Sequence, residues 1–143
     1  MKITDINGCE VTILSEHIFR AKSAKTVCVS ACLAYFGITP DMYTVTSTNK
    51  NVRAYHGILR RYGFGVRSRK SASSKAKSVG QLRKLIPTIA SKETENILGY
   101  LVGVPSHLMV LGIDGATVID TDPRKRDARK LVQVHAIVAK SRG

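Results

Sequence analysis

The chain has 143 residues, of which 43% are apolar, and a formal net charge of +13 from 23 Lys and Arg against 10 Asp and Glu. This length predicts a single domain, residues 1–143, which buries about two-thirds of the surface that its unfolded form exposes. No stretch approaches the roughly twenty apolar residues of a membrane span. Residues 1–10 carry charges and no apolar run, unlike a signal peptide, so we expect a cytoplasmic protein, in the host cytoplasm if it is viral.

Cysteine content and charge indicate the environment and the partners. Three cysteines cannot all pair within the chain, and a domain of this size does not need disulfides, so we expect all three to be reduced. The positive charge favours anionic partners, which include nucleic acid, acidic protein and membrane surfaces. It carries no information about the fold.

The first part of the chain predicts short strands followed by helices. Apolar residues between Ile3 and Ile18 are typical of one or two short strands or of an extended arm that leads into the helix. Thr26 is a good N-cap for a helix that Gly37 and Pro40 end. A second helix is predicted from Asn51, and its apolar stripe leaves His56 on the surface.

The next segments predict a loop and a third helix. Residues 66–77 combine five Arg and Lys with four serines, a composition that predicts a mobile loop. Ser78 and Gln81 have the spacing of a capping box, so a short helix is predicted to begin there and to end before Pro87. The first 96 residues are therefore expected to be mainly helical.

The remainder predicts an antiparallel sheet. Residues 97–104 and 107–113 are apolar, and Asp114-Gly115 is a strong hairpin signal before a return strand at 116–121. A basic loop at 124–130 and a last strand at 131–138 follow. Helices followed by an antiparallel sheet indicate an α+β fold.

Cys28 is the candidate nucleophile. It falls in the first turn of the predicted helix, where unpaired backbone N–H groups and the helix dipole favour a thiolate, and Lys25 adds to that field. The structural alternative is a small buried residue on the core face, as free cysteine usually is.

One histidine and two aspartates are candidates for the other catalytic groups. If Asp114-Gly115 forms a two-residue turn, His107 lies opposite Asp122, and Asp120 shares that face. A carboxylate on one ring nitrogen would fix the tautomer and leave the other nitrogen to take a proton from a thiol. The alternative is a strand-end histidine with two aspartates that cap loops.

Two segments resemble papain-like cysteine peptidases. The first is Cys28-Val-Ser-Ala-Cys-Leu-Ala-Tyr-Phe-Gly37, which is similar to their active-site helix, especially that of the bacteriocin-processing peptidases that precede certain ABC transporters. The second is His107-Leu-Met-Val-Leu-Gly-Ile-Asp-Gly-Ala-Thr-Val-Ile-Asp-Thr-Asp122-Pro, similar to the family's histidine strand, hairpin and Asp-Pro ending. Small papain-like proteins of phages end this hairpin with Asp-Thr, as Asp120-Thr121 does here.

The resemblance covers about residues 22–138 and implies a papain-like fold, with the nucleophile helix first and packed on a C-terminal antiparallel sheet. It implies Cys28 as nucleophile, His107 as general base and acid, and either Asp122 or Asp120 as the residue that orients the imidazole. The family's glutamine, which donates to the oxyanion, is replaced by Lys22. Loss of such a donor costs about a hundredfold or more in rate, so Lys22, another side chain or backbone N–H groups would have to substitute, or the enzyme is weak or inactive.

The function implied is hydrolysis of a peptide or isopeptide bond in a peptide or protein substrate, without cofactor or metal. Acyl transfer and deamidation use the same residues. A zinc site at Cys28 and Cys32 lacks a second ligand pair. The main alternative is a weak or inactive peptidase-like scaffold that binds nucleic acid or an acidic protein. The basic residues proposed for such contacts are Arg60, Arg61, Arg67, Arg69, Lys70, Arg124, Lys125 and Arg126.

Overall fold

The structure is a computed structural model, and it describes residues 2–13, 20–21, 24–25, 27–43, 51–105, 107–122 and 127–139. The helices in these ranges are α1 (Val27–Tyr35), α2 (Asn51–Arg61), α3 (Lys70–Lys75) and α4 (Val79–Ser91), with a 3₁₀ turn at Pro40–Met42. The strands are β1 (Lys2–Thr4), β2 (Glu10–Thr12), β3 (Arg20–Ala21), β4 (Ala24–Lys25), β5 (Phe64–Ser68), β6 (Ile97–Val104), β7 (His107–Leu111), β8 (Thr117–Ile119) and β9 (Gln133–Ala139). The presence of both helices and antiparallel strands agrees with the predicted α+β class.

The chain divides into two compact units, Met1–Tyr62 and Gly63–Gly143. None of the helices in the described ranges combines the length and the apolar character that crossing a membrane requires. That both units belong to one peptidase domain stays a prediction.

The first unit begins with an antiparallel hairpin of β1 and β2, as the apolar residues near the start of the chain predict. Asp5 shapes its turn, because Oδ1 accepts from the backbone N–H of Asn7 and of Cys9, both at 2.9 Å. The N–H of Ile6 donates to the carbonyl of Tyr35 at 2.8 Å, which attaches the hairpin to the end of α1.

The helices of the first unit are more buried than their patterns predict. In α1 Val29, Cys32 and Leu33 are buried at helical spacing, and so are Ser30, Ala31 and Ala34 on its other faces, so α1 is a central helix. His56 on α2 is only 6% exposed, and its ring packs edge-on against Tyr55 with centroids 4.8 Å apart. The surface assignment of His56 was therefore wrong, because the buried face of α2 is wider than the apolar stripe.

A five-stranded antiparallel sheet with the order β5-β9-β6-β7-β8 forms the second unit. Helix α4 packs its apolar face on the same core as the inner strands β6 and β9. The buried residues of this core include Val79, Leu82, Ile86, Tyr100, Val102, Leu111, Val134 and Ala136. The apolar runs of β6 and β7 are explained by this burial.

The loop predicted at residues 66–77 is wrong. Residues 64–68 form β5, which pairs with β9 and buries Val66, and residues 70–75 form α3, which buries Ala72. Two of the five charges that suggested a solvated loop are neutralised by distant residues, because Arg67 and Arg69 pair with Glu95 and Glu93.

Helix α4 begins where the capping signal predicts, since the N–H of Gln81 donates to Ser78 Oγ at 3.3 Å. The predicted end before Pro87 is wrong, because the helix continues to Ser91. Pro87 is exposed, whereas Ile89 and Ala90 beyond it pack on the sheet core. That packing offsets the hydrogen bond that proline cannot make.

Candidate active site

Cys28 is the second residue of α1 and is partly exposed. No carbonyl of the same helix can accept from its backbone N–H, because the first four N–H groups of a helix precede their partners. Cys9 is exposed and Cys32 is buried, and all three cysteines are free thiols. The predicted N-cap Thr26 and the candidate oxyanion donor Lys22 lie outside the described residues.

In the second unit, His107 and Asp120 are in direct contact. His107 is the first residue of β7, and Asp120 directly follows β8, the next strand of the sheet. His107 Nε2 lies 2.6 Å from Asp120 Oδ1, and the two side chains are 13% and 6% exposed. With the carboxylate as acceptor, Nε2 carries the proton and Nδ1 is the basic nitrogen of the ring.

The turn between β7 and β8 differs from the predicted two-residue turn. The N–H of Gly115 donates to the carbonyl of Gly112 at 3.0 Å, and the N–H of Gly112 donates to the carbonyl of Ala116 at 2.8 Å. Gly115 has φ of 85°, and Asp114 Oδ1 accepts from the N–H of Ala116. This is the longer turn in which a glycine of positive φ makes a bulge.

A second irregularity restores the predicted pairing farther along the strands. Leu111 pairs with Thr117 next to the turn, but Val110 pairs with Ile119, which leaves Val118 as an extra residue. Such a bulge shifts the strand by one position. The pair of Val110 and Ile119 is the one that a two-residue turn would give, so the register at this pair agrees with the prediction although the turn does not.

The two candidate aspartates have different partners. Asp120 holds the imidazole, whereas the carboxylate of Asp122 forms an ion pair with the guanidinium of Arg129. The backbone N–H of Asp122 donates to Asp120 Oδ1 at 2.9 Å. The predicted two-residue turn places Asp122 opposite His107, but the observed contact of the imidazole is with Asp120. Strand β8 ends at Ile119, and the Asp122 carboxylate lies against Arg129.

Arg129 was not singled out from the sequence as a site residue. It belonged to the basic run at 124–130, and only the fold distinguishes one member of that run. A cleft of about 390 Å³ is lined by Pro105, Ala128, Arg129 and Lys130. Since Arg129 also pairs with Asp122, this cleft borders the His107 network.

The predicted anion-binding residues divide into two groups. Arg60, Arg61 and Lys70 are exposed. Arg67 and Arg69 each bind a glutamate through two nitrogens, at 2.9 and 3.1 Å to Glu95 and at 2.8 and 2.7 Å to Glu93. These hydrogen bonds raise the pKa of both arginines and lower the pKa of Glu95. Residues 124–126 lie outside the described ranges.

Cys28 thus lies in the first unit, and the buried imidazole–carboxylate pair lies in the second. Such a pair is suited to proton transfer, because a fixed tautomer directs one nitrogen toward the reacting group. Within the described ranges no cluster of three His, Cys, Asp or Glu side chains could hold a metal ion. Comparisons with protein-family models, with curated proteins and with solved structures found no match to this chain.

Proposed function

We propose that the chain is a papain-like cysteine peptidase that hydrolyses a peptide or isopeptide bond with Cys28, His107 and Asp120. The observation that carries the proposal is the partly buried contact of 2.6 Å between His107 Nε2 and Asp120 Oδ1. Two residues separated by 13 positions are brought together by the hairpin, in the arrangement that a general base needs. The position of Cys28 at the partly exposed start of α1 is a second support, because the backbone N–H groups there have no acceptor within the helix.

In the proposed reaction, His107 Nδ1 removes the proton from the Cys28 thiol, and the thiolate attacks the carbonyl carbon of the substrate. The imidazolium then gives the proton to the leaving amine, which leaves a thioester on Cys28. Water, deprotonated by the same imidazole, releases the acid and regenerates the thiol. Asp120 keeps its charge throughout and stabilises the imidazolium.

The oxyanion of the tetrahedral intermediate requires a donor. The backbone N–H of Cys28 meets this requirement chemically, because it has no acceptor within α1 and adds to the positive end of the helix dipole. With Lys22 outside the described residues, this N–H is the donor that the proposal uses.

A second candidate function is binding of nucleic acid or an acidic protein by a catalytically weak scaffold. It is supported by the charge of +13 and by the exposed guanidinium groups of Arg60 and Arg61 at the end of α2. Binding of this kind would not depend on Cys28.

The test of the peptidase proposal is alkylation of the full chain by iodoacetamide at about pH 6.5, where an ordinary thiol reacts slowly. Cys28→Ser is expected to abolish the fast labelling, with Cys9→Ser and Cys32→Ser as matched controls that retain it. His107→Gln and Asp120→Asn should each slow labelling about tenfold or more, because the imidazolium that stabilises the thiolate is lost or weakened. Fast labelling at Cys9 or Cys32, or equal rates with and without His107, would contradict the proposal.

A positive labelling result is followed by incubation of the wild-type chain with a diverse peptide mixture, with products read by mass spectrometry. Cleavage that is absent for Cys28→Ser supports hydrolysis. Modified but uncleaved peptides would instead indicate acyl transfer or deamidation by the same residues.

A further inference from the structure

A buried ion pair lies beside the candidate catalytic pair. The side chains of Asp122 and Arg129 form this pair and are 10% and 13% exposed, similar to Asp120 and His107. Four charged or titratable groups are thus buried together at one end of the β7–β8 hairpin. Burial of this kind is costly unless every charge has a partner.

Asp120 Oδ1 connects the two pairs. It accepts a hydrogen bond from His107 Nε2 at 2.6 Å and one from the backbone N–H of Asp122 at 2.9 Å. The position of Asp122 therefore helps to determine the position of the carboxylate that holds the imidazole. Arg129 anchors Asp122 from the other side.

The carboxylates of Asp120 and Asp122 each need a partner that offsets their negative charge. Two carboxylates two positions apart in sequence repel each other when both are ionised and buried. In the structure Asp120 contacts the imidazole, and Asp122 contacts the guanidinium. Without the guanidinium, Asp122 would be a second negative charge beside His107.

We propose that Arg129 is a positioning residue, which engages and neutralises the Asp122 carboxylate while Asp120 orients the His107 imidazole. As a statement about catalysis this rests on the proposed function, but its geometry concerns only the second unit. The charged groups linked to His107 by hydrogen bonds and ion pairs are Asp120 and Asp122 after β8 and, through Asp122, Arg129 before β9. The β6 residue paired with His107 is the apolar Val104.

The test is the pKa of the His107 imidazole, measured by NMR on the full chain in a Cys28→Ser background so that the thiol does not contribute. Arg129→Met should raise this pKa by about one unit, because Asp122 is no longer neutralised and stabilises the imidazolium. Asp122→Asn should lower it, because the guanidinium loses its counterion. The double variant Arg129→Met/Asp122→Asn should return near the starting value.

Lys130→Met is the matched control, since it removes an exposed cation from the neighbouring position and should change the pKa much less. If Arg129→Met does not fold, Asp122→Asn and the double variant still test the same contact. An unchanged pKa in Asp122→Asn, or equal shifts for Lys130→Met and Arg129→Met, would overturn the proposal. Because no turnover is measured, an inactive protein would contradict the proposed function and not this one.

Discussion

Asp120 illustrates how much of the candidate site depends on a single atom. Its Oδ1 accepts from both His107 and the backbone of Asp122, so the imidazole, the chain after β8 and the neighbouring ion pair are linked through it. An amide at this position could still accept at its oxygen but would not stabilise an imidazolium. Asp120→Asn therefore separates geometry from charge in the labelling experiment.

Tyr100 is the other residue with an unusual environment. It is fully buried on β6, and its hydroxyl has no hydrogen-bond partner within the described residues. Burial, with a smaller contribution from Glu93, raises its pKa from 10.0 to about 12. An unmatched buried hydroxyl destabilises a fold by about 1–3 kcal/mol.

Tyr100→Phe is therefore expected to raise the free energy of unfolding by about 1 kcal/mol in chemical denaturation at pH 7. The wild-type stability should decline as pH rises through 10 and toward 12, because the unfolded phenol ionises first, and the variant should lose this part of the decline. Tyr62→Phe is the matched control. The hydroxyl of Tyr62 donates to the carbonyl of Met42, so its loss should destabilise. Destabilisation by Tyr100→Phe would mean that the hydroxyl is satisfied.

At the scale of elements, the β7–β8 hairpin carries the site and depends on Gly115. A Cβ at this position would lie 2.4 Å from the carbonyl oxygen of Arg83 on α4, and φ is 85°. The guanidinium of Arg83 also donates to the Gly115 carbonyl at 3.1 Å. The turn is thus packed directly against the helix.

Gly115→Ala should lower the free energy of unfolding by at least about 2 kcal/mol, because backbone strain and the clash with Arg83 add. Gly63→Ala is the matched control, since φ is 90° there but nothing lies within 4 Å of the new Cβ, and about 1 kcal/mol is expected. Urea denaturation of both variants measures the difference. Equal losses would show that the approach to Arg83 is not rigid.

Local sequence signals predicted the start of α4 and the β7–β8 hairpin, because residues close in sequence make the contacts that stabilise them. Ser78 and Gln81 located the start of α4, and the Asp114-Gly115 signal located the hairpin. The bulge at Val118 could not be predicted, because it depends on how β8 pairs with β7. The approximate placement of His107 beside an aspartate was predictable from strand alternation, but the choice of Asp120 was not.

Long-range ion pairs explain why the loop prediction for residues 66–77 was wrong. Residues 66–77 have a loop-like composition, yet Arg67 and Arg69 have carboxylate partners more than twenty positions away on the chain. Charge patterns within a window cannot reveal such partners. Arg129 was missed for the same reason, since its role is set by Asp122.

At the scale of the whole molecule, the net charge is +13, but the basic side chains differ in whether they are available to an anionic partner. Arg67 and Arg69 are already bound to glutamates, and no ion pair of Arg60 or Arg61 is present within the described ranges. Contacts with an anionic partner should therefore depend on the end of α2 and not on β5. A test needs variants that change net charge equally at the two places.

Binding of the full chain to a fluorescent single-stranded oligonucleotide, read by anisotropy, distinguishes these sites. If the binding function exists, affinity should fall steeply between about 50 and 200 mM salt and persist in Cys28→Ser. Arg60→Ala/Arg61→Ala should weaken binding. It should also reduce the slope of log affinity against log salt concentration by the amount that corresponds to about two phosphate contacts. Arg67→Ala/Arg69→Ala removes the same charge and should have less effect, because those guanidinium groups are engaged by Glu95 and Glu93. Equal losses of affinity for the two double variants would mean that net charge alone determines the affinity. If the chain does not bind the oligonucleotide even at low salt, nucleic acid is excluded as the partner in the second candidate function.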